Sequence, residues 1–377
     1  MAYFYLCMRS PTVQKTWKTF SLLHFIAPLV LLLIIGIMFS RQASDNSWLN
    51  REQTTEWKGW MQLFLLWCNF TGADQALPLT FAVRAFVSSY LFLFAFGHFS
   101  YFWSTQSISI GRLFQIIFRL NLLTITLCLV TWKSYTTHFF VLLATGWFLI
   151  ICVTMATCAR MIQLQLGGNR SYTAVYIKLV LWFVVITVAC GFGILWKAGF
   201  AILPISLTQP NGSVPEWIWR LQLDRYTVIG GLAIACTYHY IKQRSSMDYL
   251  KTENKHGRKL SIGVFLVCVI CLTVYGLSSL KCVGQLDCLD VYPFVSLIPV
   301  ISFVVLRNQF TYLRSRYSPV FAWFGKMSLE TPFLLSGFGE ITESFEIYQL
   351  NPADGMQGKQ CQMFTASQRS GILLYHC

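Results

Sequence analysis

Arg112 and Arg119 stand seven residues apart in "GRLFQIIFRLNLL". That spacing is about two turns of helix, so both guanidinium groups fall on one face. Two stacked arginines suit an anionic ligand such as a phosphate or pyrophosphate, which they grip with paired N–H donors. Asn121 follows on the same stretch. The competing use of these three residues is hydrogen bonding to a neighbouring helix.

A second cluster occupies "NREQTTEWKGWMQLFLLWCNF". Glu56 and Lys58 at its head are candidate catalytic groups. They could equally be interfacial charges, with Trp57 and Trp60 as the aromatic belt. Asn69 lies about three turns beyond Lys58, on roughly the same helical face. Arg84 and His98 share the next apolar stretch. Arg220 and Asp224 are placed to pair at i,i+4, with Arg225 beside them, and Lys326 and Glu330 repeat that spacing. The chain carries no G-x-S-x-G, G-x-x-x-x-G-K-[ST] or H-E-x-x-H, so no soluble hydrolase, nucleotide or zinc site is expected.

These polar groups sit in an apolar chain. Of 377 residues, 55% are hydrophobic and 12% charged, where a soluble domain carries about 25% charged residues. Runs of about 20 apolar residues recur, each long enough to cross a hydrocarbon core. They lie near 21–39, 57–73, 79–103, 114–132, 138–157, 176–195, 226–241, 260–280, 291–306 and 320–338. The expected fold is all-α, a polytopic helical membrane protein with about ten segments. A charge at the centre of such a span costs about 3 kcal/mol, so the residues named above are expected to face a cavity or a partner.

The net charge is +14, and three loops are basic, 159–173, 242–259 and 307–316. Two spans separate each from the next, which places all three on one face, the cytosolic one. No nucleic-acid module accompanies that charge, and no such partner is expected. Membrane lipid is. The opposite, lumenal face then receives Asn211, in a glycosylation sequon. It also receives Cys282 and Cys288, whose C-x5-C spacing in a polar loop can close a disulfide on an oxidising face. No metal site is expected. The segment 57–73 is open between crossing the membrane and re-entering it. If it crosses, 51–58 is cytosolic and the N-terminus lumenal.

The blocks "NREQTTEWKGWMQ", "FGHFSYFW", "FRLNLL", "RLQLDRY", "LRN" and "FAWFGKMSLE" together resemble the multi-span membrane domain of the sialate O-acetyltransferases. Related proteins acetylate plant cell-wall and fungal capsule polysaccharides. The resemblance runs from about residue 47 to residue 330. It implies transfer of acetyl groups from acetyl-CoA to glycan or sialic acid hydroxyls in the Golgi lumen. It also implies an integral Golgi membrane location. Arg112, Arg119 and Asn121 would then meet the donor from the cytosol. Arg84, His98, Asp224, Arg225, Lys326 and Glu330 would mark a polar path, with Glu56, Lys58 and position 69 at the chemistry.

Three departures from the family pattern bear on that expectation. The lumenal SGNH-type domain that carries a serine nucleophile in the animal proteins is not in the chain, which raises the expectation of a separate lumenal catalytic subunit. Cys68 and Asn69 stand where the family has Tyr-His, and asparagine cannot serve as a base or carry an acetyl group. The sequence diverges near Thr331. The expected division is therefore 1–46 as an N-terminal segment with the first span, 47–330 as the acyltransferase-like domain, and 331–377 as a disordered tail. Two other activities fit the same residues: a relay or transporter of the acetyl donor without chemistry of its own, and an inactive truncated isoform or paralogue.

Overall fold

The computed structural model describes residues 21–45, 47–71, 73, 77–105, 110–131, 139–164, 172–192, 223–244, 255–281 and 292–327. These are almost wholly helical. The first half holds α1 (Leu22–Met38), α2 (Arg51–Thr71), α3 (Leu77–Thr105), α4 (Ile110–Thr131), α5 (Phe139–Leu164) and α6 (Tyr172–Phe192). The second half holds α7 (Thr227–Arg244), α8 (Lys255–Lys281), α9 (Tyr292–Val295), α10 (Leu297–Gln309), α11 (Thr311–Arg314) and α12 (Pro319–Lys326). Two short antiparallel strands, β1 (Arg41–Gln42) and β2 (Arg316–Tyr317), pair Arg41 with Tyr317 and Gln42 with Arg316.

The helix α3 is the axis of the bundle. Its Leu91, Phe92 and Ala95 are fully buried, and it packs against α2, α5, α7, α8 and α10. The outer helices invert the soluble pattern. Leu23 and Met38 on α1, Ile177 and Val180 on α6, and Val267 and Ile270 on α8 are all well exposed. Outward aliphatic faces on a helical bundle are those a lipid solvent selects. By length and apolar composition, Leu79–Thr105 qualifies as a span among the described residues, while Leu22–Met38, Leu143–Ala156, Val175–Val188 and Ile262–Ser278 are shorter apolar helices.

Residues 57–71 belong to a continuous helix of 21 residues, α2, about 31 Å long at 1.5 Å per residue. At its start, Glu56 bonds Arg307 at 3.1 Å and accepts the Ser318 N–H at 3.0 Å. Near its end, Trp67 Nε1 donates to the Phe25 carbonyl at 3.0 Å, and Cys68 packs with Phe25, Ala73 and Val83. Those contacts lie at opposite ends of the bundle, so α2 runs its full depth and does not turn back.

The same contacts define a basic end. The C-terminal ends of α3, α7 and α10 meet there with the start of α2 and α4. His239 reaches Ser100 at 3.1 Å, and Arg112 stacks on Tyr101 at 3.8 Å. Asn50 caps α2 by accepting the Gln53 N–H at 2.7 Å.

Two expected spans take another form. The stretch 291–306 is interrupted at Ser296, between α9 and α10. Pro293 and Pro299 flank the break and remove backbone donors. The Ser296 hydroxyl meets Thr227 Oγ1 at 3.1 Å and donates to the Pro293 carbonyl at 3.2 Å. In the last segment, α12 ends at Lys326, and the remainder of 320–338 lies outside the described residues.

Candidate functional site

Tyr90, Phe94 and His98 follow one another at four-residue spacing on α3, so they form a stripe along one helical face. Lys58 on α2 places its ammonium 5.9 Å from the centre of the Tyr90 ring. Tyr90 stands near the middle of α3, so a charge that arrives at this depth has been drawn far into the bundle. His98 lies two turns nearer the basic end, about 12 Å of helical rise away. Its ring packs against Phe94 at 4.4 Å and against Phe148 of α5 at 4.9 Å. Arg112 donates to the Tyr101 hydroxyl and stacks over that ring. The result is an aromatic lane along one face of α3, with the Lys58 ammonium of α2 over Tyr90, the Arg112 guanidinium of α4 over Tyr101, and the His98 ring packed against Phe94 and Phe148 between them.

The chemistry of these side chains suits a ligand with an anionic part at the basic end and a less polar part beside the rings. Guanidinium and ammonium groups balance phosphate charge, and aromatic walls accept an apolar arm. Among the described residues there is no cluster of three potential metal ligands.

The comparisons with known proteins bear on what such a lane does. Residues 1–336 match the family described as "10 TM Acyl Transferase domain found in Cas1p". The chain belongs to that family. It is an integral membrane protein, and the family is the one its resemblance to the sialate O-acetyltransferases implied. One relative, the N-acetylneuraminate (7)9-O-acetyltransferase of Danio rerio, is 36% identical over 332 residues, which make up 88% of this chain and 42% of the relative. The chain thus spans less than half of that relative's length. No solved structure matches.

Within this acyltransferase domain the expected site residues separate into groups. Lys58, His98 and Arg112 come together in the lane. Arg119 lies two turns beyond Arg112 on α4, and both arginines are exposed. Asn121 donates to the Ile117 carbonyl at 2.8 Å and to Thr145 Oγ1 of α5 at 3.2 Å, which is the helix-to-helix use of that residue. Glu56 does not join Lys58, because its carboxylate is held by Arg307 and the Ser318 N–H. Lys326 is exposed at the end of α12. Asn69 falls in the last turn of α2, but its side chain is outside the described residues, as are Glu330, Asn211, Cys282 and Cys288.

Arg84 and Asp224 form a different group, toward the other end of α3. Asp224 is buried and accepts a 2.5 Å hydrogen bond from Ser88 Oγ, which lies 2.8 Å from the Tyr292 hydroxyl. Tyr275 continues the cluster and donates to the Phe81 carbonyl at 3.1 Å. Arg225 turns aside, with its guanidinium 4.8 Å from the Tyr226 ring and 5.4 Å from the Phe294 ring. Ser88, Asp224 and Tyr292 are each at most 2% exposed, so this group is a sealed knot joining α3, α7 and α9.

Asp224 sits in the turn ahead of α7. Burial pushes its carboxyl up to about 6, against the bond from Ser88 and the charge of Arg84. A carboxyl raised on folding binds its proton more tightly in the native state. Stability is therefore greatest below the ordinary carboxylate range and falls as pH rises through about 6. Thermal melts of the detergent-solubilised chain are expected to show a Tm that declines from pH 5 to pH 7. In Asp224→Asn that slope is expected to flatten.

Tyr90 and Tyr101 were legible only as aromatic residues, although the four-residue register of Tyr90 with His98 was there to be read. Ser88, Tyr275 and Tyr292 carried no signal, since a hydroxyl in an apolar run is ordinary.

Proposed function

We propose that this chain is the membrane domain of an O-acetyltransferase that uses acetyl-CoA to acetylate hydroxyl groups of sialic acid or another glycan in the Golgi lumen. The observation that carries this reading is the match to the acyltransferase family over residues 1–336, in a bundle that sets Lys58 over Tyr90 and Arg112 over Tyr101 on the helix bearing His98. The basic end of the bundle lies in the cytosol under the positive-inside rule. Acetyl-CoA enters there. Arg112 meets its phosphates, Arg119 stands two turns further along the same helix, and the aromatic side chains take the pantetheine arm. Lys58 faces the thioester at mid-depth. The glycan approaches from the lumen, with or without a separate lumenal catalytic subunit.

The test is transfer by the purified chain in nanodiscs from labelled acetyl-CoA to a sialylated acceptor. Acetylated glycan supports the reading. Label that crosses the bilayer without product points to a relay, and neither outcome points to an inactive isoform. Arg112→Ala is expected to raise the KM for acetyl-CoA by about 10- to 100-fold, the worth of one charge-assisted contact to phosphate at 1.5–3 kcal/mol. An unchanged KM removes Arg112 from the donor site.

A further inference from the structure

We infer that His98 is the general base of this acetyl transfer, supplying the proton acceptor that Asn69 cannot. The inference rests on the transferase reading above and assigns one step within it. The described carboxylates near the basic end are already engaged: Glu52 accepts the Ser44 N–H at 2.9 Å, and Glu56 is held by Arg307 and Ser318. Asp224 is sealed with Ser88. His239 bonds Ser100 at 3.1 Å, and His24 is exposed on α1, away from the lane. His98 alone among these stands in the lane. Among the described residues its ring is fixed by Phe94, Phe102 and Phe148 and makes aromatic contacts only. Its nitrogens are thus oriented without being committed.

The step balances without a further reagent. A ring nitrogen of His98 takes the proton of the attacking hydroxyl. The hydroxyl oxygen bonds to the acetyl carbonyl carbon, and the carbon–sulfur bond breaks with its electron pair leaving on sulfur. The imidazolium then returns the proton to the thiolate. The ammonium of Lys58 faces the negative charge that develops on the carbonyl oxygen and then on sulfur. The base returns to its starting state with each turnover.

The experiment compares the full chain with His98→Gln and His98→Ala in nanodiscs, measuring transfer rate, its pH profile and equilibrium binding of acetyl-CoA. In His98→Gln, kcat is expected to fall 10²- to 10⁴-fold, acetyl-CoA binding to stay within about twofold, and the ionisation in the rate profile to vanish. Added imidazole is expected to restore part of the rate to His98→Ala. Transfer by His98→Gln near the unmodified rate overturns the inference alone. Loss of binding in step with rate also overturns it, in favour of a packing role. An unmodified chain that transfers nothing overturns the transferase reading and this step with it.

Discussion

A leucine at position 59 is expected to prevent α12 from docking and to leave little folded protein. Gly59 and Gly325 are where α2 and α12 touch backbone to backbone. A Cβ built on Gly59 would overlap the Phe321 carbonyl oxygen and lie 2.7 Å from its carbon and 2.9 Å from the Gly325 nitrogen. A Cβ on Gly325 would overlap the Thr55 carbonyl oxygen and lie 3.1 Å from the Gly59 nitrogen. No rotamer change relieves a clash with backbone, so the helices must separate. Small residues at helix crossings in membranes serve this close approach. Gly36 adds a third contact, since a Cβ there would lie 2.7 Å from the Phe321 ring edge.

In most helices Gly→Ala stabilises by up to about 1 kcal/mol, so the sign is the diagnostic. Gly59→Ala is expected to cost about 3 kcal/mol or more, and Gly59→Leu to abolish the monodisperse peak in detergent size exclusion. Gly263→Ala on α8, where nothing lies within 4 Å, is expected to leave the Tm unchanged or raise it. Equal melts for Gly59→Ala and Gly263→Ala would show that α2 and α12 do not cross as described.

Helices and their order were legible because lipid leaves few alternatives: an apolar run of about 20 residues must satisfy its own backbone. Arg112 and Arg119 could be placed on one face of one helix by counting residues, since both lie on the same element. Lys58 over Tyr90 could not, because it depends on how α2 and α3 lie side by side, and the register between helices is written in packing. The same holds for Ser88 and Tyr292, which are 204 positions apart. Sequence spacing also proposed an active pair in Glu56 and Lys58. Two residues apart on a helix point about 200° from each other, so these two serve different neighbours. The glycines carried information that composition hides. Gly59 reads as a weak point in a helix until α12 is laid across it.

Glu56 decides between a catalytic and an architectural account of this motif. Its carboxylate joins three parts of the basic end: its own helix, Arg307 at the end of α10, and the Ser318 N–H ahead of α12. Arg307 in turn donates to the carbonyls of Leu313 and Arg316. Both side chains are at most 20% exposed, so solvent screens them little. Removing one partner of such a pair leaves the other charge partly desolvated, at a cost of about 3 kcal/mol. Glu56→Ala is therefore expected to lower the Tm strongly. Glu56→Gln keeps an acceptor for Ser318 while losing the charge, and is expected to fall between. Glu56→Ala combined with Arg307→Ala should be less destabilised than the sum of the two single variants, because the stranded charge has gone. Under this account transfer activity falls only as far as the folded fraction falls. A Glu56→Gln chain that melts like the unmodified protein yet transfers no acetyl group would instead return Glu56 to the chemistry. Lys58 is the control: its ammonium lies over Tyr90 and outside this joint. Lys58→Met is expected to reduce transfer while leaving the contacts of Glu56, and the melt they support, intact.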